Sequence, residues 1–188
     1  MTATFLDAYR PDANNMVATE ELIQKYSSKV PPMLIALWKS SGLGKYNDGL
    51  IELIDPEKYE PVLWTWLGKE VSSYVPFAIT GFGEILYYRK LIDGAEGVCM
   101  LDMQFRTLVV LTLSFEDFLN DFLLQSIERS DWLREELFIE ALSKFGKPSI
   151  GEVFTFVPLP SFGGAMSIEY IQKGNAIVYQ HLVFSMTA

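Results

Sequence analysis

The sequence predicts an α+β fold: a helical N-terminal part, a central, mostly antiparallel sheet, and two helices of the C-terminal half packed on that sheet. Three observations lead there. Four short apolar runs lie between residues 77 and 111, parted by Gly and Asp turns, and no connection among them is long enough for a crossover helix. Before and after these runs, apolar residues recur at helical spacing. Residues that cap helices stand ahead of those stretches, at Thr19, Asp55 and Ser114.

Taken in order, Thr19 caps a helix whose first turn carries Glu20 and Glu21, where carboxylates complement the helix dipole. Leu22, Ile23 and Tyr26 share its apolar face. Pro31-Pro32 ends it and opens a second helix with Met33, Leu34, Leu37 and Trp38 as its stripe, and Gly42 is a stop. Turn formers fill 42–49, and 50–54 reads as a short strand. Asp55-Pro56 starts a further element with a capping carboxylate and a proline at the first helical position. Pro61 is expected to interrupt it, leaving a short turn and then a helix with Leu63, Trp64, Trp66 and Leu67. The strands of the middle fall at 77–80, 84–89, 97–102 and 107–111.

Ser114 then caps a helix bearing Phe115, Phe118, Leu119, Phe122 and Leu123. A second helix is expected over 131–145, ended by Gly146 and Pro148. Residues 153–157 return to extended structure. Residues 175–186 are so uniformly apolar that periodicity leaves helix and strand open. The punctuated stretch 68–76 divides an N-terminal unit, 1–70, from a C-terminal unit, 71–188. It is too short for a long flexible linker, so the two are expected to form one body.

Composition bounds the function. At 188 residues the chain can bury roughly two thirds of the surface its unfolded form exposes. Asp and Glu number 24 against 15 Lys and Arg, giving a net charge of −9 and a pI near 4.6. Phosphate backbones repel such a surface, and no Lys/Arg run is present, so direct nucleic-acid binding is not expected. The acidity serves solubility or steers a basic protein partner, and composition leaves both open. No apolar stretch approaches the ~20 residues that span a bilayer, and the first seven residues lack a leader pattern. No membrane contact and a cytoplasmic location are expected. Cys99, the only cysteine, allows no internal disulfide and sits in an apolar run.

A catalytic device is missing from the pattern. His181 is the only histidine, with Tyr179, Gln180, Leu182 and Val183 around it, so a multi-histidine metal site is excluded. Gly42-x-Gly44 and Gly81-Phe82-Gly83 complete no phosphate-binding motif. No catalytic residue, metal ligand or cofactor is assigned, and the chain is not expected to be an enzyme. Two acidic sets are candidate partner surfaces instead. One is turn-rich: Asp48, Glu52, Asp55 and Glu57. The other is helical: Glu128, Asp131, Glu135, Glu136 and Glu140. The helical set also reads as the solvated face of two amphipathic helices. Trp64 and Trp66, two residues apart, point in different directions on a helix, which suits one for the core and one as an apolar anchor at a groove. The apolar loop 159–164 is the next place to look.

Several motifs resemble a bacterial family. Pro32-x-Leu34, Leu37-Trp38, Gly42-Leu43-Gly44-x-Tyr46-x-Asp48-Gly49-Leu50 and Asp55-Pro56-x-x-Tyr59-x-Pro61-x-Leu63-x-x-Trp66-Leu67 resemble the GAD-like domain. Pro76-Phe77-Ala78-x-Thr80-Gly81-Phe82-Gly83-Glu84, Gly151-Glu152-Val153-Phe154-Thr155-Phe156-Val157-Pro158 and Phe162-Gly163-Gly164 are similar to the C-terminal domain of type VI secretion immunity proteins. The resemblance implies a cytoplasmic immunity protein that binds and neutralises a cognate secreted toxin of an interbacterial secretion system. The toxin it implies is a nuclease, whose basic domain the acidic surface would suit. The alternative is a small-molecule-sensing regulatory domain without catalysis.

Overall fold

Six strands follow one another in space as they do in sequence. The computed structural model describes residues 4–91 and 94–187. Met1 to Ala3, on which part of the leader reading rests, lie outside the described residues. The strands are β1 (Gly44–Tyr46), β2 (Ile51–Leu53), β3 (Tyr74–Thr80), β4 (Ile85–Lys90), β5 (Glu96–Asp102) and β6 (Thr107–Thr112), every neighbouring pair antiparallel. The sheet therefore draws strands from both sides of residue 70.

The helices are α1 (Phe5–Ala8), α2 (Glu20–Tyr26), α3 (Pro32–Ser40), α4 (Pro56–Leu67), α5 (Phe115–Asn120), α6 (Ser126–Leu133), α7 (Glu135–Phe145) and α8 (Ala176–Thr187). A two-stranded ribbon, β7 (Glu152–Phe156) with β8 (Ile171–Asn175), lies between α7 and α8. The central strands read as continuous apolar runs because both faces of the sheet are covered. Ala78, Leu86, Tyr88, Val98 and Met100 join one core with Phe115, Phe118 and Phe138 of α5 and α7. Ile79, Ile85, Tyr87, Cys99 and Leu101 join a second core with Tyr59, Val62 and Leu63 of α4 and Tyr179 and Val183 of α8.

Several sequence expectations take a different form. Pro61 does not break its helix: α4 runs unbroken from Pro56 to Leu67. The proline forgoes one backbone hydrogen bond on the exposed side, while Tyr59, Val62 and Leu63 are buried around it and keep the helix in place. The helix expected over 131–145 is two helices, α6 and α7, joined at Arg134, whose φ of 52° is left-handed. That conformation costs about 1–2 kcal/mol, and it accompanies two ion pairs formed by the Arg134 side chain, described below. The apolar stretch left open at 175–186 is a helix, with Ala176, Tyr179 and Val183 buried at helical spacing and Asn175 Oδ1 accepting from the Val178 amide. Strand β1 lies in a stretch read as turns, and strand β8 and helix α1 had no signal strong enough to be expected.

Candidate functional site

The residues that form one open cleft come from five segments far apart in sequence. Residues 16–19 cross beside β1, where Met16 bridges to Leu43. Thr19 caps α2 by accepting the Leu22 amide at 3.2 Å, as its sequence position suggested. The N-terminus of α4, the β1–β2 pair, the loop at Ile150 and Gly151, and the start of α8 complete the walls of a cleft of about 610 Å³. Leu22, Leu53, Ile54 and Tyr59 line its buried side. Met16, Val17 and Ile150 keep half or more of their surface in solvent at its mouth.

Carboxylates surround this apolar lining. Asp55 caps α4, its Oδ1 accepting the Glu57 amide at 3.0 Å. Lys25 Nζ meets Glu57 Oε1 at 2.6 Å across the cleft, and that bond holds the lysine above its ordinary pKa. Lys58 lies 3.7 Å from Asp55. Glu21 also faces the cleft, and backbone and Thr19 hydrogen bonds hold its carboxyl below the usual range. Deeper in, Glu52 is buried. It stands directly opposite Lys45 in the β1–β2 register and accepts Lys45 Nζ at 2.8 Å and the Gly151 amide at 2.9 Å. Lys45 Nζ also donates to the Glu152 carbonyl at 3.0 Å, so this pair ties the sheet to the ribbon loop.

A second polar cluster lies beneath the β3–β4 turn, the Thr80-Gly81-Phe82-Gly83-Glu84 motif. Gly81 is obligatory there, since a Cβ would stand 2.3 Å from the Phe138 ring. The Thr80 hydroxyl donates to Glu84 and accepts the Phe82 and Glu84 amides. Arg134 donates to Glu84 Oε1 at 2.8 Å and to Asp102 Oδ2 at 2.9 Å. Tyr179 of α8 donates to Gln104 at 2.9 Å, and Gln180 to the Gly83 carbonyl at 2.9 Å. Burial raises the Glu84 carboxyl above its usual range, and the attraction of Arg134 only partly opposes that. Burial works against the charge of Arg134 too, but the two carboxylates more than compensate and leave its pKa raised. The cluster joins α6–α7 and α8 to the sheet and is closed to solvent.

The structure brings Glu52, Asp55 and Glu57 together in the cleft and leaves Asp48 outside it. Asp48 pairs with Lys147 at 3.1 Å, and Lys147 also holds Asp12. In the helical set, Glu135 is bound to Arg129 at 2.9 Å, Glu128 is half-buried, and Asp131, Glu136 and Glu140 are exposed on α6 and α7. Trp64 and Trp66 are both half-buried. Trp66 packs edge-on against Phe184, with the Arg106 guanidinium 5.8 Å from its ring centre. Sequence reasoning missed Glu21, Lys25, Met16, Val17 and Ile150 as parts of one site. The only local signal was the Thr19 cap, which fixes where Glu21 points. His181 is exposed on α8. Among the described residues no group of three or more His, Cys, Asp or Glu could hold a metal ion, and no helix is long and apolar enough to cross a membrane.

A six-stranded antiparallel sheet between two helical layers, with a carboxylate-rimmed cleft on one side, defines an α+β protein. The chain belongs to the GAD-like domain family, whose profile matches residues 1–95, and residues 112–187 match the C-terminal domain of the type VI secretion immunity protein Tdi1. The fold is also that of a solved structure, the crystal structure of Atu4351 from Agrobacterium tumefaciens. The two are 18% identical over 98% of this chain and 88% of that one, with a TM-score of 0.74. No curated protein matches the chain.

Proposed function

We propose that this protein is a cytoplasmic immunity protein that binds a cognate secreted toxin, a basic nuclease domain, and neutralises it without catalysis of its own. The match of residues 112–187 to a type VI secretion immunity domain, joined to a GAD-like domain, carries this reading. The net charge of −9 suits a basic partner, and steering by complementary charge speeds encounter.

The cleft between α2 and α4 is the surface we assign to the toxin. Glu21, Asp55 and Glu57 would meet basic side chains, while Met16, Val17 and Ile150 supply apolar contact that water now covers. The helical set Glu128, Asp131, Glu135, Glu136 and Glu140 is a second approach surface for the same partner. Trp64 and Trp66, packed at half burial, would contribute an anchor only through their exposed edges. The cleft volume of about 610 Å³ also lies in the range of small-molecule sites, roughly 300–1,000 Å³. That observation supports the second reading, a regulatory domain that senses a small ligand.

The deciding experiment takes the product of the neighbouring gene as the toxin to be tested. Cells producing the toxin should survive when they also make this protein, the two should purify together, and adding the purified protein should stop DNA cleavage by the toxin in vitro. A folded protein that neither binds nor protects ends the immunity reading. Purification with a small molecule held in the cleft would favour the other.

A further inference from the structure

A helix on the surface of a charged protein ordinarily shows charged side chains to water. Helix α8 does not: from Ala176 to Thr187 it carries no Asp, Glu, Lys or Arg, in a chain where these make up 21% of residues. Its inward face holds Ala176, Tyr179 and Val183 in the second core. Its outward face exposes Val178, Leu182 and Met186, which are 53–57% accessible. Spaced four apart, they form one stripe. Across a groove of about 380 Å³, Val157 and Phe162 of the β7–β8 connection are also about half exposed. A continuous apolar patch of this kind marks an interaction surface.

We propose that this face is a two-fold interface between two copies of the chain. Charge selects the occupant. Each copy carries −9, and its exposed carboxylates crowd the cleft rim and the outer side of α6 and α7, so copies meeting there would repel. The α8 stripe lets two copies touch without bringing carboxylates together, and it offers a basic toxin no opposite charge. The stripe is also self-complementary. Two α8 helices crossing antiparallel about Leu182 set Leu182 against the partner's Leu182 and Val178 beside the partner's Met186, the reciprocal contacts a two-fold requires. Phe162 and Val157 then close over the flank of the partner helix.

The area fits a reversible dimer. The five residues, each about half exposed, present roughly 450 Å² per copy, about 900 Å² for two, which lies below the ~1,200 Å² of stable specific interfaces and in the range of weak ones. Dissociation on dilution follows.

Sedimentation equilibrium or light scattering on the intact protein, across a range of concentrations, tests this. The mass should rise from 21.3 kDa toward twice that value with concentration. Leu182→Glu places two carboxylates at the crossing point and should stay monomeric throughout. Its circular dichroism and melting should match the wild type, because the residue is exposed. Leu108→Glu, a change at another exposed apolar residue on β6, should dimerise as the wild type does. A wild type that is monomeric at every concentration overturns the proposal, as does Leu182→Glu associating like the wild type. A monomeric wild type whose toxin binding is lost in Leu182→Glu would also overturn it and assign the face to the toxin. The mass readout does not involve the toxin, so it stands apart from the immunity reading.

Discussion

Glu84 and Glu57 each sit within hydrogen-bond reach of a cation, Glu84 at 2.8 Å from Arg134 and Glu57 at 2.6 Å from Lys25, yet they stand in opposite settings. Glu84 is sealed beneath the β3–β4 turn and shares its arginine with Asp102. Glu57 is about half exposed at the mouth of the cleft, and its lysine is equally open. In the interior, removing one partner strands a charge that water cannot reach. At the surface, water and salt screen the pair, and its worth to folding is small. The acidic character of the chain is therefore of two kinds: carboxylates that hold modules together, and carboxylates that face solvent in pairs that water screens.

The largest expected effect tests the inner kind. Arg134→Met leaves Glu84 and Asp102 facing each other without a cation and should cost about 3–5 kcal/mol. Its pH dependence has a definite sign. The Glu84 carboxyl is raised in the folded state by burial, so its favourable contribution is present below its unfolded value and lost as pH rises through the folded one. Without Arg134 that loss deepens at neutral pH. Urea unfolding of both proteins at about pH 7 and about pH 5 should show the gap narrowing toward acid. A gap that is constant or widens would mean that Glu84 is not the stranded charge.

An intermediate effect tests the outer kind. Glu57→Lys reverses a charge at the cleft mouth and should slow association with the toxin by about tenfold at low salt, less as salt screens it, while the melting temperature stays close to that of the wild type. An unchanged association rate would remove the cleft from the toxin surface.

The smallest expected effect comes from Glu136→Lys with Glu140→Lys on α7. Both side chains are exposed, and neither forms an ion pair among the described residues. The double change should alter association by a few-fold at most and leave folding untouched. A loss larger than that of Glu57→Lys would reverse the ranking and make α6–α7 the principal docking face.

Much of the architecture was legible in the residues. Thr19, Asp55 and Ser114 cap the helices they precede, because capping depends on a side chain and amides two or three residues away. The four central strands stand where their apolar runs and turns put them, since those signals are also local. The misjudged places are those where a distant partner outweighed a local rule. Pro61 argued for a break that the packing of Tyr59, Val62 and Leu63 overrides. The spacing over 131–145 argued for one helix, and Arg134 splits it while it pairs with Glu84, 50 residues away in sequence.

The site divides the same way. Asp55 and Glu57 could be singled out as acidic residues in a helix start, but Glu52 looked like their equal until the β1–β2 register set it against Lys45 and the Gly151 amide covered it. Alternation along a three-residue strand does not tell which face will be buried. By itself the sequence determined most of the element types between residues 19 and 157, the antiparallel order of the middle, the acidic balance and the family motifs, all of which depend on neighbours in the chain. Only the tertiary structure decided which carboxylates are sealed and which are free, that residues 16–19 and 150–151 meet at one cleft, and that α8 turns an uncharged face outward. Burial and electrostatic partnership are properties of residues brought together from far along the chain, and the free energy of a carboxylate depends on them more than on its place in the sequence.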